Sequence, residues 1–176
     1  MLKKPLLSLF LSALVTTLEA APAFYAGAGV GYGDIRLSHT HFNSSSGQFH
    51  AGAWIVDNVG IELRLNTELN DDTERGITTS IPRIATAALR FQSPEDLGLK
   101  VYVLAGAGRV TLDSHADGGN TPGRDDFDAG LIALGLLAPL SADRRLGIYL
   151  EASRYFLDRD NDAPLAVGSL GVQYDF

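Results

Sequence analysis

Hydrophobic and polar residues alternate with period two through most of the chain. In VGIELRLNTE, Val59, Ile61, Leu63, Leu65 and Thr67 share one face, while Gly60, Glu62, Arg64, Asn66 and Glu68 share the other. A helix, with its period of about 3.6, would mix the two sets, so the segment is predicted to be a strand. Just before it, GQFHAGAWIV sets Phe49, Ala51, Ala53 and Ile55 against Gln48, His50, Gly52 and Trp54. Asp57-Asn58 lies between the two runs. Both residues tolerate positive φ, which predicts a tight two-residue hairpin. FYAGAGVGYGD places Phe24, Ala26, Ala28, Val30 and Tyr32 opposite Gly27, Gly29, Gly31 and Gly33. A glycine stripe weakens a strand unless another surface must come close, and the interior of a narrow barrel is such a place.

The same period continues downstream. IATAALRF sets Ala85, Ala87, Leu89 and Phe91 against Ile84, Thr86, Ala88 and Arg90. LKVYVLAGAG sets Val101, Val103, Ala105 and Ala107 against Tyr102, Leu104, Gly106 and Gly108. FDAGLIALGLLAP is apolar on both faces. LGIYLEASRYFL puts Ile148, Leu150, Ala152, Arg154 and Phe156 opposite Tyr149, Glu151, Ser153 and Tyr155. Two arginines interrupt apolar faces. Arg83 falls near one end of its strand, where a long side chain can snorkel. Arg154 requires either a place at a membrane rim or a bulge that turns it inward.

Eight strands result, starting near Phe24, Gln48, Val59, Ile81, Leu99, Phe127, Leu146 and Leu165. Three connections are short. The other four are mostly longer and very polar: SHTHFNSSS, LNDDTERGITT, DSHADGGNTPGRDD and DRDNDAP. Short turns at one end and polar loops at the other are the plan of an all-β, eight-stranded, antiparallel up-and-down transmembrane barrel.

Residues 1–23 have a different character. Lys3 and Lys4 precede the apolar run PLLSLFLSALVTTL, and EAAPA follows, with Ala21 and Ala23 at the −3 and −1 positions of a cleavage site. This is the layout of a secretory signal peptide, which assigns residues 24–176 to the barrel domain. Loss of Lys3, Lys4 and Glu19 shifts the formal charge from −7 to −8. An acidic chain is a poor partner for nucleic acid, whose binding depends on phosphate neutralisation. The chain has no cysteine, so packing and backbone pairing must hold it together without disulfides.

Alternation alone does not say which face is wet. A periplasmic lipocalin-like carrier would turn its apolar face inward around a ligand; an outer-membrane barrel turns it outward to lipid. The glycine-bearing face suits a crowded lumen better than a hydrated exterior. Phe24, Tyr32, Phe49, Phe91, Phe156, Tyr174 and Phe176 fall near strand ends, where aromatic girdles sit. The chain closes on SLGVQYDF, in which Leu170, Val172, Tyr174 and Phe176 alternate with Ser169, Gly171, Gln173 and Asp175. Through Ser169, Gly171, Tyr174 and Phe176 this segment resembles the C-terminal β-signal of bacterial outer-membrane proteins. The resemblance implies recognition by the outer-membrane insertion machinery. With YAGAGVGYG, VYVLAGAG and YLEASRYF, the chain resembles the small eight-stranded family that includes the OmpA transmembrane domain and OmpX-type proteins. No peptidoglycan-binding domain is expected after the barrel, and hence no anchoring role on the cell wall.

An eight-stranded barrel is just filled by its own side chains, so no general solute pore is expected. Gln48, His50, Glu62, Arg64, Arg90 and Glu151 are expected to form a lumen network, and Trp54 to point into the same space. The expected role is structural or surface-interaction (adhesin-like), as a monomer in contact with outer-membrane lipid and lipopolysaccharide. Small outer-membrane barrels that modify lipid A offer an enzymatic alternative. The nearest candidate, SHTH at 38–41, has neither the order nor the strand context of that chemistry, and nothing orients a base for Ser38. Asp158, Asp160 and Asp162 have the spacing of a calcium loop but lack its glycine and distal glutamate. His39, His41 and His115 are a weaker metal candidate still. No catalytic site, metal or cofactor is therefore expected.

Overall fold

The computed structural model describes residues 23–37, 40–68, 72–74, 77–94, 98–116, 123–157 and 164–176. Residues 1–22 of the expected signal segment (1–23), Ser38, His39, Asp158, Asp160 and Asp162 lie outside the described residues, as do the side chains of His41 and His115. The strands are β1 (Phe24–Leu37), β2 (Thr40–Val56), β3 (Val59–Glu68), β4 (Asp72–Glu74), β5 (Ile77–Gln92), β6 (Lys100–Ala116), β7 (Gly123–Pro139), β8 (Leu146–Leu157) and β9 (Pro164–Asp175). Their order is β3-β2-β1-β9-β8-β7-β6-β5-β4, and a β3–β5 pairing closes the sheet on itself. All pairings are antiparallel. Eight long strands thus make a closed barrel, and β4 is a short hairpin extension paired only with β5.

Both ends of the barrel chain are fastened at the turn end. The Phe176 amide donates to the Phe24 carbonyl at 2.9 Å, and the Trp54 amide donates to the Ala23 carbonyl at 2.9 Å. The Asp57-Asn58 turn links β2 to β3 as the pattern predicts, with a register shift between Trp54 and Val56. Gly98 adopts φ 72° in the β5–β6 connection, a backbone region that glycine enters without steric cost.

Several strands run further than the hydrophobic period indicates. β2 begins at Thr40 rather than near Gln48, β5 at Ile77 rather than near Ile81, and β7 at Gly123 rather than near Phe127. Backbone pairing continues through polar residues: Ser44, Ser45 and Ser46 pair with Gly33, Tyr32 and Gly31. A strand leaving an apolar layer keeps its ladder of N–H and C=O bonds while its side chains cease to alternate in hydrophobicity. Period therefore marks the apolar layer, and the ladder marks the strand.

The facing is inverted relative to a water-soluble globule. Leu63, Leu134 and Leu150 are 62%, 56% and 57% exposed, whereas Glu62 and Arg90 are 0% exposed. Arg83 and Arg154 both point outward. No bulge turns Arg154 inward: β8 holds unbroken register with β7 and β9 around it. Its guanidinium instead lies 5.3 Å from the Phe156 ring centre.

Candidate functional site: a closed ionic lumen

Strand parity delivers the charges. Glu62 and Arg64 are two residues apart on β3, so they share its inner face; Arg90 enters from β5 and Glu151 from β8. Arg64 Nε donates to Glu62 Oε1. The two terminal nitrogens of Arg64 donate to the two Glu151 oxygens at 2.5 Å each, a bidentate pair. Arg90 Nη1 donates to Glu62 Oε2 at 3.0 Å and to Gln173 Oε1 at 2.8 Å. Two guanidiniums and two carboxylates thus form one neutral chain across the barrel.

Hydroxyls complete the acceptor shells. Tyr25 donates to Glu62 Oε2 at 2.9 Å. Tyr102 donates to Glu151 Oε2 at 2.9 Å, and Ser153 to Glu151 Oε1 at 2.5 Å. The Arg90 guanidinium also lies over the Tyr102 ring at 4.0 Å and the Tyr25 ring at 4.8 Å, where the ring face attracts a cation. Trp54 points inward, its ring centre 5.0 Å from that of Tyr25. Such groups are costly to bury singly and tolerable together, because each charge meets an opposite charge and each carboxylate oxygen at least one donor; Arg90 Nε has no partner among the described residues.

Of the six residues expected in a lumen network, Glu62, Arg64, Arg90 and Glu151 meet directly. Gln48 and His50 are buried in the same lumen, but no hydrogen bond among the described residues joins them to the charged quartet. Neither ring nitrogen of His50 has a hydrogen-bond partner among the described residues; the ring packs edge-on to Tyr149 at 5.2 Å. Tyr25, Tyr102, Ser153 and Gln173 were not singled out from the sequence. The signal for them is parity: each stands on the inner face of its strand, in step with a charged or glycine position.

The glycines explain how this cluster fits. Tyr25 pairs across the ladder with Gly52, Tyr102 with Gly135, Tyr149 with Gly171 and His50 with Gly27. A Cβ at Gly52 would enter the Tyr25 ring, and one at Gly135 the Tyr102 ring. A Cβ at Gly171 or Gly29 would collide with Tyr149, and one at Gly27 with His50. Each ring lies on bare backbone of the neighbouring strand, which lets large side chains cross a narrow lumen.

No protein-family model matches the sequence. No curated protein matches it either. Solved structures do. Neisserial surface protein A superposes with a TM-score of 0.68 at 13% identity, over 87% of this chain and 97% of that one. Ail, the attachment invasion locus protein of Yersinia pestis, solved in complex with the heparin analogue sucrose octasulfate, superposes with a TM-score of 0.66 at 16% identity, over 89% of this chain and all (100%) of that one. The outer membrane protein OprG of Pseudomonas aeruginosa gives a TM-score of 0.58 at 13% identity, over 89% and 96%. The fold is that of the small outer-membrane barrels. The resemblance carried by the glycine-rich first strand and the closing SLGVQYDF strand leads to the same fold.

The C-terminal residues occupy the seam of this barrel. β9 pairs with both β8 and β1, joining the last strand to the first. Ser169 and Gly171 lie on its inner face, whereas Tyr174 and Phe176 point outward at the turn end, with ring centres 5.1 Å apart. Among the described residues no three His, Asp or Glu side chains are placed to hold one metal ion.

Proposed function

We propose that the protein is an integral barrel of the bacterial outer membrane, exported by a cleaved segment at 1–23 and folded over 24–176 as a monomer. Its role is structural or surface-interacting, in contact with membrane lipid and lipopolysaccharide. One observation carries the reading: charged side chains of Glu62, Arg64, Arg90 and Glu151 are enclosed while leucine, isoleucine, valine and phenylalanine cover the outside. Only a hydrocarbon solvent favours that arrangement. A lipocalin-like carrier would need an apolar cavity where this lumen holds an ionic quartet. The final strand supports a further part of the proposal. Ser169, Gly171 and Tyr174 lie on the seam strand and Phe176 directly follows it; this is the strand that insertion machinery would have to hold until closure.

The role follows from occlusion. A solute crossing the lumen would have to part the Arg64–Glu151 pair and displace the rings resting on glycine. The barrel is therefore a scaffold that presents its polar hairpins at the surface. The likeness to Ail, an attachment protein captured with a sulfated sugar analogue, supports a surface-interaction role over transport. No catalytic step is included, since the carboxylates of the lumen are engaged by arginines and hydroxyls. The test is fractionation of cells, with gel mobility measured before and after boiling. Recovery in outer membranes with heat-modifiable mobility supports the proposal. Release in soluble form by osmotic shock would overturn it in favour of the carrier.

A further inference from the structure

The inner face of β1 is bare. From Gly27 to Gly33 each inward position is glycine, and across the seam these glycines pair in turn with Gln173, Gly171, Ser169 and Val167 of β9. No inward side chain of β1 therefore interlocks with β9 over this stretch. Two rings from the flanking strands cover it instead. Tyr149 starts on β8, passes over Gly171 of β9 and ends with its hydroxyl against Gly29 of β1. His50 starts on β2 and lays its Nε2 edge against Gly27. The two rings meet edge-on, with centres 5.2 Å apart.

Polar atoms go unmatched along this wall. Tyr25, Tyr102, Tyr149 and Tyr155 are each 1% exposed. Tyr25 and Tyr102 donate to Glu62 and Glu151, and Tyr155 accepts from Asn66 at 2.8 Å. The Tyr149 hydroxyl has no hydrogen-bond partner among the described residues, and neither have the two nitrogens of His50 or the hydroxyl of Ser169. Ser169 is buried and pairs with Gly31 on the same stripe. Thr86 Oγ1 and Arg90 Nε are also without partners, but they stand on β5, away from the seam. A buried hydroxyl or imidazole left alone forfeits the hydrogen bonds it makes in water. Four such atoms on one wall call for a shared partner.

We infer that the seam is sealed from inside by a small cluster of bound water, held by the Tyr149 and Ser169 hydroxyls and the His50 imidazole against the glycine stripe of β1. The partner must be small, because the two rings already cover Gly27 and Gly29. It must donate and accept, because hydroxyls and an imidazole between them present both kinds of group. It needs no charge, because Glu62, Arg64, Arg90 and Glu151 neutralise one another. Water meets all three conditions, whereas chloride or a metal ion fails the last two. At the hairpin end of the stripe Val167 and Leu165 lie against Gly33, so the polar wall stops at an apolar cap. Tyr25 spans β1 to β3 and Tyr102 spans β6 to β8, each ending on a carboxylate. Tyr149 spans β8 to β1 in the same way but ends on glycine, and water takes the carboxylate's place. The junction of first and last strands is thus bridged by solvent.

X-ray hydroxyl-radical footprinting of the mature barrel in lipid nanodiscs tests it, because radicals formed on a bound water oxidise the side chains that hold it. Tyr149 and Tyr155 are the matched pair, equally buried. Tyr149 is expected to be oxidised at least about fivefold faster, since the Tyr155 hydroxyl already has its partner. After rapid mixing into heavy-oxygen water, the oxygen gained by Tyr149 should at first be the light isotope. Leu140, exposed in the β7–β8 turn, should gain the heavy one at once. H50L and S169A, each checked for folding by heat-modifiable mobility, should slow Tyr149 oxidation at least about twofold and leave Tyr155 unchanged. Equal oxidation of Tyr149 and Tyr155 in the wild type overturns the cluster, whether or not the variants fold. So does immediate heavy oxygen at Tyr149, which marks access of bulk solvent, or an unchanged Tyr149 rate in both folded variants.

Discussion

Glu151 is the acceptor on which the lumen depends most heavily. It receives both terminal nitrogens of Arg64, the Tyr102 hydroxyl and the Ser153 hydroxyl. Replacing it by alanine leaves the neutral quartet with one uncompensated positive charge and strips two hydroxyls of their acceptor. Breaking a buried pair by removing one member costs about 3–5 kcal/mol. Removing both members is different in kind. In R64L/E151L, Glu62 still accepts from Arg90 and Tyr25 at 3.0 Å and 2.9 Å, so no charge is orphaned and the double variant should lose less than E151A alone. S153A removes one neutral donor and should cost about 1 kcal/mol. The assay is urea unfolding in lipid vesicles, followed through the fluorescence of Trp54, the chain's one tryptophan. Its indole sits 5.5 Å from the Arg90 guanidinium, close enough to report on the cluster. An E151A loss below about 1 kcal/mol, or a double variant worse than the single, would show that the quartet does not behave as a desolvated ion pair.

Other outcomes follow from the same geometry. Gly135→Ala drives a methyl into the Tyr102 ring and should lower stability by about 1–3 kcal/mol. Gly168→Ala, with nothing within 4 Å of the added carbon, should be neutral or slightly stabilising in the same unfolding assay. Spin labels at A133C and L134C should separate cleanly, since Ala133 is 1% and Leu134 56% exposed. Oxygen in the acyl region should relax the label at 134 and spare the one at 133, and the reverse would turn the barrel inside out. In the β7–β8 turn, the Ser141 hydroxyl and then the Arg145 amide hold the Asp143 carboxyl below the usual carboxylate range. A depressed value means that these bonds are kept above the ordinary carboxylate range and lost as pH falls through the lowered one. Carbon-13 titration of Asp143 should therefore show a midpoint below that of a free aspartate, with Arg145 amide exchange quickening on the acid side.

What could be read from the chain divides along physical lines. The sorting of residues into two faces was legible because side-chain parity is strict: Leu63 and Glu62, or Leu150 and Glu151, cannot share a side of one strand. Trp54 was placed inward on the same argument. Strand length was not legible, since Thr40–Gly47 and Gly123–Asp126 are paired without an apolar rhythm. The partners of each charge were only half legible. Parity put Glu62, Arg64, Arg90 and Glu151 in one lumen, but which carboxylate meets which guanidinium depends on register around the closed sheet. His50 shows the limit, as it shares the lumen yet packs against Tyr149 instead of joining the ions.

The pairing of rings with glycines connects the sequence to the filled lumen of the described residues. A barrel of eight strands has little room for large rings. Here Tyr25, Tyr102, Tyr149 and His50 each face a glycine across the ladder. The space a Cβ would take is given to the ring, and the ring hydroxyls of Tyr25 and Tyr102 are thereby brought to Glu62 and Glu151. Gly52 in β2 and Gly135 in β7, which look like weak points, are thus what allows the ionic cluster to be roofed on two sides by aromatic faces. Widening the lumen would require removing those rings, and removing them would leave carboxylates short of donors. Occlusion and stability therefore rest on the same atoms, so selection for a tighter barrel and selection for an open pore act in opposite directions on this interior.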